Sequence, residues 1–154
     1  MKKIETGQGV LEFALVIPII LVLVVGIFEA GRALWIYSAV TNASREATRY
    51  GSASGDTGSG PAYSDCAGIQ AIARQLGAPG RVENADITIT YDSGPETTSE
   101  GSCPVATIDS GDRIIVQVVG HFTPAAFVPI FRFPSFDITS LTRRTIIEEV
   151  DLNP

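Results

Sequence analysis

Apolar positions fall along this chain in two regimes. From Val10 to Phe28 they are nearly continuous, interrupted only by Glu12, Pro18 and Gly26. Such a run is about 19 residues, or about 28 Å of helix at 1.5 Å per residue, close to the hydrocarbon thickness of a bilayer. Lys2 and Lys3 precede it. A positive flank keeps the amino terminus cytoplasmic and sends the rest of the chain across.

Past the run the pattern becomes periodic. Leu34, Tyr37, Val40, Ala43, Ala47 and Tyr50 recur at steps of three and four, while Arg32, Asn42, Arg45, Glu46 and Arg49 fall mostly on other faces. The spacing predicts that the helix continues beyond the membrane, with this stripe as the spine for a sheet. Trp35 and Tyr37 stand where an interfacial aromatic belt belongs.

The segment GSASGDTGSGP, residues 51–61, is rich in turn formers and ends the helix. Cys66 to Leu76 reads as a short helix, with Ile69, Ile72, Ala73 and Leu76 on one side and Gly77 at its end. Asp86 to Tyr91 alternates Ile87, Ile89 and Tyr91 against polar partners, which is a half-buried strand. Residues 93–104 read as loop. Arg113 to Phe122 is strongly β, with Ile114, Val116 and Val118 on one face, and Phe136 to Glu148 forms the last strand. The predicted class is α+β: a long amino-terminal transmembrane helix extending into a small domain with a second helix and an antiparallel sheet of three or four strands.

Composition changes the picture in three places. Mean hydropathy is +0.23 because the apolar run lifts the average; the remainder, about 120 residues, suffices for one small domain. Net charge is −6, and the scattered basic residues make no patch for nucleic acid. The two cysteines, Cys66 and Cys103, lie in the polar part beyond the run. In an extracytoplasmic compartment two cysteines pair. The bridge would close a loop of about 38 residues and stabilise the fold by roughly 4 kcal/mol. Two buried free thiols are the competing reading.

Glu12 is the informative residue of the run. A carboxylate there costs on the order of 2.5–3.5 kcal/mol even on a lenient insertion scale. A secretory signal peptide fits poorly, since the run is long and no Ala-x-Ala site follows. A plain anchor explains the length but not the carboxylate. If the chain is cut after Gly7, Gln8 becomes the first residue and its ammonium enters the zone of Glu12. Glu12 can then pair with the terminal ammonium of a neighbouring subunit, and two burial costs offset one another.

Gly7, four residues, then Glu12-Phe13 and an apolar run resembles the signal of type IV prepilins. The stretch from Gly7 to Gly51 resembles the TadE-like family in particular, through Pro18, Gly26, the Glu29-to-Arg32 step and the Ala-rich helix ending Thr48-Arg49-Tyr50. A weaker likeness lies in HFTPAAFVPIF and FDITSLTRRTIIEE near the carboxy end. The resemblance implies cleavage by a prepilin peptidase between Gly7 and Gln8. It also implies a pilin-like fold, and a role as minor pseudopilin in assembling a bacterial tight-adherence (Flp-type) pilus. The implied partners are other pilins and pseudopilins of that machinery and the lipid of the inner membrane, with no small-molecule substrate. The implied plan is a leader over 1–7, a transmembrane helix over 8–29, a helix extension over 30–51 and an extracytoplasmic domain over 52–154.

Candidate chemistry beyond this is sparse. His121 ends a strand without a nucleophile motif, so a structural role is expected and an anchored hydrolase is not. Asp109 and Asp112, with Asp56 and Asp65, lack the ligand spacing of a calcium loop and read as turns. No metal or cofactor is expected. Residues 122–136 hold five phenylalanines and three prolines. Phe127, Phe131 and Phe133 are either core under the sheet or a docking surface for a neighbouring subunit. The alternative to a pseudopilin is a single-pass anchored envelope domain that binds a protein partner and keeps residues 1–7.

Overall fold

Small side chains decide where the long helix meets the sheet. In a computed structural model, residues 6–53, 55–58, 60–95, 101–105, 108–109, 111–125 and 134–147 are described. Helix α1 runs unbroken from Thr6 to Gly51, about 69 Å at 1.5 Å per residue. Helix α2 spans Cys66–Gly77. The strands are β1 Ile87–Asp92, β2 Gly101–Ser102, β3 Arg113–Phe122 and β4 Phe136–Thr145. They form one sheet in the order β2-β1-β3-β4 with every pairing antiparallel. The fold is α+β, as the pattern predicts.

Register follows from the period-two pattern. Ile87, Ile89 and Tyr91 of β1 lie opposite Val118, Val116 and Ile114 of β3, so the apolar faces of both strands coincide. Against that face α1 places Ile36, Val40, Ala43 and Ala47, and α2 adds Ile69 and Ala73. Alanine at two positions brings the α1 backbone close to the sheet. Gly51 ends the helix where a Cβ would stand 2.4 Å from Ile114 Cδ1. Gly120 in β3 meets Val40 in the same way: a Cβ there would lie 2.4 Å from Val40 Cγ2. Gly120→Ala is therefore expected to destabilise the domain by about 1–3 kcal/mol, the usual cost of overpacking. Chemical denaturation of the detergent-solubilised chain measures it.

Four expectations are corrected. Leu34 and Tyr37 do not belong to the buried stripe; they are 66% and 55% exposed. The helix buries Ile36, Val40, Ala43-Ser44 and Ala47-Thr48 instead. Ser44 and Thr48 are compatible with burial because β4 turns a polar inner edge to them. Ser44 Oγ lies 2.8 Å from Ser140 Oγ and 2.9 Å from Thr142 Oγ1, and Thr48 Oγ1 donates to the Ser44 carbonyl at 2.6 Å. Leu76 is also exposed, while Gly77 takes the buried position and packs on Val82. The segment predicted as loop contains β2, paired to β1 through Thr90–Ser102 and Tyr91–Gly101. The last strand stops at Thr145 rather than Glu148, where the partner strand begins: Arg113 pairs with Thr145, and the Ile146 N–H then bonds the Asp112 carbonyl at 2.8 Å.

Candidate membrane anchor and assembly surface

From Val10 to Phe28 nothing among the described residues of the domain covers α1. Thirteen large apolar side chains there are exposed, and the most apolar window of the helix has mean hydropathy 3.0. A patch of this extent is far beyond what a water-soluble surface carries. On an insertion scale those thirteen side chains favour the bilayer by at most roughly 4–8 kcal/mol. Glu12 opposes with roughly 3 kcal/mol, so insertion wins with the carboxylate aboard. One long apolar amino-terminal helix of this kind fits a single-pass anchor. Positions 8 and 12 are one helical turn apart, on the same side of α1. Glu12 and Phe13 are both exposed. Gly7 and Gln8 lie in the first turn. Pro18 is accommodated without interrupting the helix, although its ring removes the bond to the Ala14 carbonyl.

Where the apolar run ends, a charged pair locks the helix to the sheet. Glu29 is 7% exposed. Its Oε1 accepts from the Ala125 N–H at 3.0 Å, and its Oε2 lies 3.2 Å from an Arg32 guanidinium nitrogen. Arg32 also donates to the Thr123 carbonyl and sits 4.8 Å above the Phe122 ring. Phe122 in turn stacks on Phe136 with centroids 4.8 Å apart. One glutamate and one arginine, an i, i+3 pair on α1, thereby hold the end of β3 and the start of β4. Sequence reasoning noted the Glu29-to-Arg32 step but gave it no task. The signal was a charged pair directly after an apolar span; its backbone partners lie more than 90 residues away.

Other polar groups brace the domain. Cys66 and Cys103 are bonded, with Cα atoms 5.8 Å apart, so the first turn of α2 is stapled to the chain just past β2. Asp65 caps α2 by accepting from the Gly68 N–H at 2.9 Å. It also accepts from the Tyr50 hydroxyl at 2.7 Å; that bond holds its carboxyl below the usual range and raises the Tyr50 phenol. Arg113 forks onto Asp92 at 2.6 and 2.8 Å across β1 and β3, which keeps the Asp92 carboxyl low. Asp109 and Asp112 close a turn on one another: the Asp109 N–H donates to Asp112 Oδ2 at 2.8 Å. Among the described residues no cluster of three or more metal-ligating side chains occurs. Phe127, Phe131 and Phe133 lie outside the described residues.

His121 stands between two carboxylates, with Nδ1 2.8 Å from Asp137 and Nε2 3.1 Å from Asp86. The hydrogen bond to Asp137, then that to Asp86, raises the imidazole pKa. The Asp86 carboxyl is held low by the Glu83 N–H and, less strongly, by His121. A histidine raised in the folded state contributes stability that is fully present below its unfolded pKa and lost as pH rises through the folded value. The chain is expected to lose stability above neutral pH relative to His121→Gln. The loss should be less than about 1 kcal/mol because the group is partly solvated. Melting curves from pH 6 to 9 measure it.

The family model for TadE-like proteins matches residues 7–49. That is the anchor and nearly all the rest of α1, the stretch on which the resemblance rests, and it includes none of the sheet. No curated protein and no solved structure matches the chain.

Proposed function

We propose that this chain, similar to TadE-like proteins over residues 7–49, is a minor pseudopilin that takes part in assembling a Tad-type adhesive pilus. It sits in the bacterial inner membrane by a single helix, amino terminus cytoplasmic and the α+β domain outside. A prepilin peptidase removes residues 1–7. The freed Gln8 amine and Glu12 then lie one turn apart in the same zone of the bilayer. The ammonium of one subunit neutralises the carboxylate of the next as the helices pack side by side, with Phe13 beside the contact.

The observation that carries this reading is the exposed apolar span with its one carboxylate, Glu12, lying one turn beyond Gln8. Packing against other helices explains why a 46-residue helix leaves its first half uncovered. Among the described residues His121 is occupied by Asp86 and Asp137 rather than set beside a nucleophile, which supports a structural role over an enzymatic one.

Intact mass and amino-terminal sequencing of protein recovered from membranes test the proposal. The expected result is a chain beginning at Gln8. Recovery of functional protein with residues 1–7 attached would leave the alternative, an anchored envelope domain that binds a protein partner. Mass also reports whether the Gln8 amine stays free, since cyclisation would remove the charge assigned to it.

A further inference from the structure

Beside the Glu29–Arg32 clamp lies a cavity of about 160 Å³. Its walls come from α1 (Arg32, Trp35), from the turn after α2 (Pro79, Arg81) and from the end of β3 (His121, Thr123). Among the described residues no carboxylate lines it. Carboxylates reach it only through their partners, Glu29 on Arg32 and Asp86 and Asp137 on His121. Among the described residues Arg81 is thus the lining cation without a carboxylate partner, and Trp35 supplies an indole.

Its height relative to the anchor is set by α1. Arg32 and Trp35 follow Phe28 by four and seven residues, about 6 and 10 Å along the helix. The polar zone of a bilayer adds roughly 5–8 Å on each side of the hydrocarbon. If Phe28 marks the end of the span, the cavity opens at the level of the lipid headgroups. Trp35 is 63% exposed there, as suits an interfacial indole.

Arg81 is the telling residue. Its backbone is left-handed, with φ 55°, a conformation that glycine adopts without penalty and a residue with a Cβ does not. Its neighbour Gly80 keeps ordinary φ, so the strained place is given to a long cation. Among the described residues Arg81 enters no ion pair, and its side chain is exposed. The conformation caps the turn, the Arg81 N–H bonding the Ala78 carbonyl at 3.0 Å, and it carries the guanidinium to the cavity wall.

We propose that this cavity binds the phosphodiester of a membrane phospholipid. Arg81 and the remaining N–H groups of Arg32 are the donors, and Trp35, one turn farther out, packs against the outer side of the headgroup. The proposal rests on the anchored reading above. It would seat the domain against the bilayer at a fixed height.

The test uses the full chain in mixed micelles. Phosphatidylglycerol is compared with diacylglycerol of the same acyl chains and with inorganic phosphate in plain detergent. Wild type is expected to gain about 6–11 °C in Tm at a lipid concentration ten times the Kd, and nothing from diacylglycerol. Arg81→Gly is expected to keep or raise Tm in detergent alone, because the turn is relieved, and to lose the lipid response. Arg81→Lys should retain part of it. Equal responses to both lipids, or a wild-type response in Arg81→Gly, would overturn the proposal. A gain from millimolar phosphate alone would mean a site filled from solution and would overturn the lipid assignment. Flotation with phosphatidylcholine vesicles separates the two levels: a chain that floats but shows no headgroup response keeps its anchor and loses this site, and one that does not float loses both.

Discussion

Gly7→Asp is expected to leave the whole population uncleaved, inserted in the membrane at full length and absent from assembled filaments. Two physical arguments converge on that outcome. A side chain at position 7 would carry bulk and charge into a peptidase cleft that, in the reading adopted here, receives a glycine. The uncut chain would also retain Lys2 and Lys3. Each ammonium resists entry into hydrocarbon by on the order of 2.5–3.5 kcal/mol, so roughly 5–7 kcal/mol would pin the terminus to the membrane surface. Cleavage would remove that hold and leave a single ammonium one turn from Glu12. Glu12→Val gives the companion experiment. It should insert better than wild type, by up to roughly 3 kcal/mol, be cleaved normally, and yet fail to assemble. Gel mobility, mass and electron microscopy of surface filaments read the three steps separately. Filaments of normal number from Gly7→Asp cells would end the reading.

Loss of the disulfide is the second large effect expected. Cys66 and Cys103 are 37 positions apart, and closing such a loop restricts the unfolded chain by roughly 4 kcal/mol. In a domain of this size each kcal/mol moves Tm by about 4–8 °C. Cys103→Ser together with Cys66→Ser should therefore lower Tm by roughly 16–32 °C, and reductant should do the same to wild type. The location sharpens the expectation. β2 is two residues long and pairs only with β1, so the bridge is the main tie between that sheet edge and α2. Hydrogen exchange should show residues 101–103 losing protection before β3 does. A reduced chain that melts within a few degrees of the oxidised one would mean that the edge is held by packing instead.

Much of this architecture is legible because the hydropathic signals are long or strictly alternating. The anchor is one contiguous run, and β1 and β3 each place three apolar residues at period two on the buried face. What escaped reading has a common physical cause. Leu34 and Tyr37 are as apolar as a core residue, yet they face outward beside Trp35; interfacial and core side chains look alike in one dimension. Their places in the core go to Ile36 and to Ser44 and Thr48, whose hydroxyls are satisfied by Ser140 and Thr142 almost 100 residues away. β2 carries no apolar pattern and exists through its pairing with β1 and the neighbouring bridge. The proposed assembly residues Gly7, Gln8, Glu12 and Phe13 follow from spacing and resemblance, whereas the clamp of Glu29 and Arg32 needs the fold to show its backbone partners.

The unbroken course of α1 into the core, with the Glu29–Arg32 clamp at the junction, leaves no swivel between anchor and sheet among the described residues. Spinning the rod about its own axis within the lipid swings the domain around the membrane normal through the same angle. Any neighbour that grips the apolar half of the rod would therefore decide which flank of the sheet faces outward, and contacts made in the bilayer would set the compass bearing of the surface displayed above it.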